Sequence, residues 1–194
     1  RIYIGHIPGE GSLALTGVGV CMPIIMIVSA FAALVSSGGA PRASIYMGKQ
    51  DNKSAENILG NCFILQIIIS VILTAILLIW GRDLLLAFGA SENTISYATD
   101  YIHIYAFGTL FVQLTLGMNA FITAQGFTTF SMVSVLIGAV CNIVLDPVFI
   151  FVFHMGVRGA ALATVISQAI STLWEVLFLC GKKTQLHLRK KHLH

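Results

Sequence analysis

Charge is what this sequence has least of: Asp, Glu, Lys and Arg together make up 10% of the chain, where water-soluble domains carry about 25%. A water-soluble fold is excluded on that ground. Nucleic-acid binding is excluded too, because the basic residues form no stripe interleaved with aromatics and lie at the edges of hydrophobic runs. No C-x-x-C pair occurs. Cys21, Cys62, Cys141 and Cys180 fall in separate hydrophobic runs without a nearby pair of histidines, so no disulfide framework, metal site or cofactor is expected. The opening Arg1-Ile2-Tyr3-Ile4-Gly5 has neither an initiator Met nor a basic region ahead of an apolar one. No cleavable signal peptide is visible there, and the chain reads as a fragment.

What is present is apolar. Hydrophobic residues make up 57% of the chain, and the mean hydropathy is +0.89. The eleven Lys/Arg and eight Asp/Glu gather in short stretches and separate five hydrophobic runs, at about 12–39, 57–80, 101–124, 127–153 and 157–180. Each run holds at least 24 residues. As a helix, 24 residues reach roughly 36 Å, enough to cross a hydrocarbon core of about 30 Å with some tilt. The polar stretch Thr123-Ala124-Gln125-Gly126-Phe127-Thr128-Thr129 supplies a tight turn between the third and fourth runs. Ile2-Tyr3-Ile4 reads as the end of an earlier helix. The fold class expected is an all-α integral membrane bundle of about five transmembrane helices.

Basic residues set the expected orientation. Arg42, Lys49 and Lys53 follow the first run, and Lys182, Lys183, Arg189, Lys190 and Lys191 follow the fifth. Those eight lie on one side against Arg1, Arg82 and Arg158 on the other. The positive-inside rule then places the 40–56 loop and the tail in the cytoplasm of a multi-pass plasma-membrane protein. The tail itself is expected to be a solvated basic end beside anionic lipid.

Asp146 is the most informative residue. It lies about seven residues, or 10 Å, inside the fourth run, where an ionised carboxylate costs about 3 kcal/mol even on the lenient insertion scale. A chain keeps such a group where it has partners or work, and a carboxyl group at that depth can take up and release a proton. The competing structural reading is a protonated or amide-paired Asp that locks helices together. Asn142 precedes Asp146 by four residues and shares its helix face. Pro147 has no N–H, which leaves the Ile143 carbonyl without its helical partner and bends the span. A carboxylate, an amide and a freed carbonyl make an oxygen-rich site suited to Na⁺ or a proton. Thr164 reaches matching depth on the returning fifth run, although a membrane Thr often only bonds its own i−4 carbonyl. Gly156, Gly159, Ala160 and Ala163 allow the two helices to approach closely.

Other polar residues point less sharply. Asn119, Gln113, Gln66 and Gln168 are expected in the bundle interior, as cavity lining or as interhelical bonds. Asp100 and His103 are expected at the interface, and Glu175 is expected to snorkel towards Lys182 and Lys183. Gly38-Gly39 before Pro41 reads as helix packing and termination.

The stretch Asn142-Ile-Val-Leu-Asp146-Pro147, then Gly156-Val-Arg-Gly159-Ala160-Ala161-Leu162-Ala163-Thr164 with Ser167-Gln168 beyond, resembles the multidrug and toxic compound extrusion family. Ile2-Tyr-Ile-Gly5, the Ala40-to-Ala55 segment with Arg42, Gly48 and Lys53, and Leu85-to-Tyr105 resemble other parts of the same family, so the likeness covers essentially the whole chain. What it implies is an antiporter of two six-helix lobes that expels organic cations or other amphiphiles in exchange for H⁺ or Na⁺. Residues 1–181 would then be helices two to six of the first lobe and 182–194 a basic tail. The partners implied are a small amphiphilic or cationic substrate, membrane lipid, a first helix and a second lobe. In the family a carboxylate on the first helix contributes to the cation site, and by the pattern it would fall just before Arg1. Positions matching the family's site are Asn142, Asp146 and Thr164, with Tyr101 and Asn119 as further members; Na⁺ would be the one metal ion held there.

Two rival readings remain open on the sequence. A flippase for lipid-linked precursors or polysaccharide, from the same superfamily, would need a basic cavity, and the runs hold no mid-membrane Lys or Arg. A membrane protein of another class, either non-transporting or an intramembrane enzyme using Asp146 with His103 or His154, lacks a paired carboxylate or metal spacing.

Overall fold

A computed structural model describes residues 2–188. Arg1 and the tail end, with Arg189, Lys190 and Lys191 of the basic count, lie outside the described residues. After a single 3₁₀ turn at Ile4–His6 come six α-helices: α1 Gly11–Val20, α2 Met22–Gly48, α3 Asn52–Ala87, α4 Ile95–Ala124, α5 Thr128–Pro147 and α6 Val157–Cys180. α1 and α2 meet at Cys21 and form one span, Gly11–Gly48, with Pro23 in the first turn of α2, where its missing N–H costs nothing. α5 continues into a π-helical turn, Val148–Val152. Five helices are thereby long and apolar enough to cross a membrane.

The expected 40–56 loop is corrected. α2 runs on through Gly38, Gly39 and Pro41 to Gly48, and α3 starts at Asn52, so the connection is Lys49–Asp51. Arg42 and Lys53 bound the uncharged runs, but a charged side chain does not end a helix, and one proline inside a packed membrane helix is tolerated. Asp51 caps α3: its carboxylate accepts from the Ser54 amide at 3.1 Å and from the Ser54 hydroxyl at 2.6 Å. Gly39 is a packing residue as expected, since a Cβ there would lie 2.4 Å from Cys62 Sγ and 2.8 Å from Phe121 Cζ. Ile2-Tyr3-Ile4 leads into the 3₁₀ turn, with Ile4 buried in the core.

α4 is the hub and packs against α1, α2, α3, α5 and α6. Two apolar clusters hold the bundle. One joins Val18, Ile24, Leu77, Leu85, Ile102 and Ala161 at the end bearing the α3–α4 connection; the other joins Ala43, Leu59, Met118, Phe121 and Leu179 at the opposite end. The buried layer between them is polar, with Gln66 and Ser70 of α3, Thr109, Gln113 and Thr115 of α4, Ser134 of α5, and Ser167, Ser171 and Thr172 of α6. Burying this many hydroxyls and amides in a lipid-facing bundle requires partners within the protein, and most are held by neighbouring carbonyls and hydroxyls. The outward faces remain aliphatic, as at Ile68, Ile72 and Ile79 of α3 and Leu136, Val140 and Ile143 of α5.

After Cys180 the chain doubles back. Gln125 Oε1, just past α4, accepts from Thr184 Oγ1 at 2.6 Å, the Leu186 amide at 2.9 Å and the Gln185 amide at 3.0 Å. The His187 amide donates to Glu56 at 3.0 Å, and Leu186 is fully buried. The part of the tail described, 182–188, is therefore a docked strap from which Lys182 and Lys183 project into solvent.

Candidate cation site and membership of a family

The site is assembled where α5 ends and α6 begins. Gly156 makes the reversal with φ +58°, a conformation open to glycine, and Gly159 allows the approach: a Cβ there would stand 2.8 Å from the Phe149 backbone. The chain thus brings α6 against the π turn that follows Pro147. Asn142 Nδ2 donates to Thr164 Oγ1 at 3.3 Å, linking α5 to α6 at one depth. Thr164 also donates to the Ala160 carbonyl at 3.0 Å, so the local bond that a membrane Thr often makes coexists with the interhelical one.

Asp146, Asn142, Thr164 and Tyr101 line one cavity of about 340 Å³, together with Tyr105 and Gln168. The volume has room for roughly ten waters at about 30 Å³ each. Asp146 is 6% exposed, and its Oδ1 has no hydrogen-bond partner among the described residues. Among the described residues it makes no amide pairing and no ion pair. Tyr101 and Tyr105 stack with ring centroids 6.3 Å apart and form an aromatic wall. Ile4 reaches the same cavity from the 3₁₀ turn. Chemically the arrangement offers a carboxylate, an amide oxygen and a hydroxyl to a proton or a small cation.

Gln113 and Asn119 are not among the residues that line this cavity; of the two roles expected for them, the bonds they make are interhelical. Gln113 is fully buried and donates to the Val28 carbonyl at 2.7 Å, bridging α4 to α2. Asn119 faces α5 and α6 further along the bundle, donating to the Ser131 carbonyl at 3.2 Å and to Glu175 at 3.0 Å. The expectation for Glu175 is corrected: it is fully buried and does not snorkel to Lys182 and Lys183, because Asn119 and Ser134 supply donors across the helix interface. Gln66 is buried against Gly117. Asp100 sits near the surface, paired with Arg158 at 3.1 Å.

The sequence did signal what was missed. Thr164, Gln168, Ser171 and Glu175 follow one another at intervals of three or four, a polar stripe on one face of α6 that places Glu175 inside the bundle. Tyr105 stands four residues after Tyr101 and shares its face for the same reason.

The family model described as MatE matches residues 1–148. This chain belongs to the MatE family. The multidrug export protein MepA of Staphylococcus haemolyticus is 30% identical over 190 residues, covering 98% of this chain and 42% of that protein. An inward-facing multidrug resistance MATE family transporter superposes with a TM-score of 0.91 at 26% identity, over 98% of this chain and 43% of that one. An outward-facing one gives 0.88 at 27% identity, over 98% and 42%. The chain therefore spans about two fifths of the length of these MatE relatives. The relatives are exporters and not enzymes. Neither His103 nor His154 lines the Asp146 cavity.

Proposed function

We propose that the protein carrying this chain is a secondary active antiporter that exports organic cations or other amphiphilic drugs in exchange for H⁺ or Na⁺. In this reading Asp146, Asn142 and Thr164 hold the coupling cation. The observation that carries it is a membrane-embedded carboxyl group, 6% exposed, facing a cavity that also receives the amide and the hydroxyl. A desolvated carboxylate gains from a proton or a cation far more than a hydrated one does, so occupancy of the site changes the energy of the lobe. The stacked Tyr101 and Tyr105 give the same cavity an aromatic wall of the kind that attracts organic cations. The likeness of this lobe to both inward-facing and outward-facing relatives supports its moving as a unit, with alternation arising between lobes.

A flippase of lipid-linked anionic precursors fits less well, because no Lys or Arg among the described residues lines the cavity. The basic count supports a cytoplasmic Lys49–Asp51 turn and strap in a multi-pass plasma-membrane protein.

The test is efflux of a quaternary ammonium dye from proteoliposomes under an imposed H⁺ gradient or an imposed Na⁺ gradient, applied separately. Efflux driven by one of them supports the reading and names the ion. Dye retention under both gradients rejects it.

A further inference from the structure

We propose that Glu175 is a second proton-binding site, at the opposite end of a polar seam from Asp146. The seam begins at the candidate cation site. Asn142 and Thr164 line both the Asp146 cavity and a second cavity of about 330 Å³, which continues between α5 and α6 past Thr115, Gly138, Ser167 and Ser171. Beyond it, Ser171 Oγ donates to the Ser134 carbonyl at 3.1 Å, and Ser134 Oγ donates to Glu175 Oε1 at 2.6 Å. Asn119 Nδ2 donates to that same oxygen at 3.0 Å. The track then leaves the bundle by way of Ser131, which donates to Asn119 Oδ1 at 2.5 Å, and Thr123, which donates to Ser131 at 2.9 Å. Thr123 is exposed beside the α4–α5 turn. Glu175 follows Thr164 by eleven residues on α6, which places the two about 16 Å apart along the axis.

Two observations favour a proton over a metal cation at Glu175. Its Oε1 is taken by two donors, while its Oε2 is buried with no partner among the described residues. One open oxygen satisfies a proton, whereas a hard cation needs six or so oxygen ligands. The second observation is that, among the described residues, no charged side chain pairs with Glu175. The groups bonded to Glu175 are Asn119 of α4 and Ser134 of α5, both neutral, with Ser131 of α5 bonded in turn to Asn119. The nearest ionisable side chain of α5 is Cys141, about 10 Å further along that helix from Ser134. On α4, Tyr105 lies fourteen residues from Asn119. Lys182 and Lys183 point to solvent. A carboxyl group so placed is at its least costly when it carries the proton on Oε2.

The inference rests on the exporter reading only for what the proton is used for. The existence of the site is separate and is tested by infrared difference spectroscopy against pH on the protein in lipid vesicles. Glu175→Gln retains an oxygen for Asn119 and Ser134 but cannot titrate. The expected result is two carboxylic-acid bands from the bundle interior, one lost in Glu175→Gln and the other lost in Asp146→Asn. Ser134→Ala should shift the Glu175 band and leave the Asp146 band in place, which guards against a variant that merely misfolds. Identical spectra for wild type and Glu175→Gln would overturn the proposal, as would a shift of the Glu175 carboxylate band on adding Na⁺ at fixed pH. If both bands are found but dye efflux follows neither ion gradient, the exporter reading falls and the proton site stands.

Discussion

Gly159→Ala probes the geometry on which the cation site depends. The added methyl would sit 2.8 Å from the carbonyl carbon and oxygen of Phe149 and 3.0 Å from its Cβ. Backbone cannot rotate away as a side-chain tip can, so α6 must withdraw from the π turn until the contact reaches the 3.4 Å at which ordinary packing begins, a displacement of at least 0.6 Å. Thr164 lies five residues further along α6, and its bond from Asn142 is already long at 3.3 Å. A displacement of that size takes the pair beyond the hydrogen-bond limit, near 3.5 Å. Overpacking of this kind costs about 1–3 kcal/mol, or roughly 2–12 °C in thermal midpoint for a chain of this length. Gly38→Ala is the control: nothing lies within 4 Å of its Cβ, so it should hold or raise the midpoint through the loss of glycine's conformational freedom. Thermal unfolding in detergent and the ion dependence of dye efflux are the readouts. A Gly159→Ala protein as stable as wild type, with unaltered ion dependence, would refute the argument that close approach at Gly159 builds the site.

Further outcomes follow from the same structure. Asp51 has its pKa lowered by the Ser54 hydroxyl, then by the Ser54 amide. The cap's contribution is therefore present above the unfolded value near 3.9 and is lost as pH falls through the lower folded value. Asp51→Ala should lower the thermal midpoint at pH 7 and narrow the gap to wild type in strong acid. Gln125→Ala removes the acceptor of three strap bonds, and trypsin should then cleave at Lys182 and Lys183 faster than in wild type. A single cysteine at Lys49, in a cysteine-free background, should resist a membrane-impermeant reagent applied outside intact cells; labelling there would reverse the proposed orientation. Asn142→Ala and Thr164→Ala should each weaken ion-driven efflux without abolishing it, as removal of one neutral ligand from a shared site does.

The number of spans and the α5–α6 hairpin were legible because hydrophobic length and the Gly156–Gly159 pattern act locally. Helix ends were not: Arg42, Lys53 and Arg82 interrupt the uncharged runs, while backbone hydrogen bonding carries α2 and α3 past those charges. Asp146, Asn142 and Thr164 could be grouped from sequence because i, i+4 spacing and a short turn fix their depth. Gln113 and Asn119 could not be placed, since which interior face each helix turns to its neighbours depends on the whole bundle. Their amides are used in bridging α2 and in holding Glu175. Glu175 was misplaced for a related reason. Distance from the helix end suggested the surface, whereas the stripe through Thr164, Gln168 and Ser171 pointed inward.

The central claim is that Asp146 is the titrating group of the coupling site, and Asp146→Asn tests it most directly because the amide keeps the side chain's shape and cannot exchange a proton. Dye efflux from proteoliposomes is measured under the gradient that drives the wild type, at matched amounts of folded protein. The account predicts that the variant still folds and binds the dye but loses gradient-driven efflux. Efflux at the wild-type rate would make Asp146 a structural residue and contradict the account.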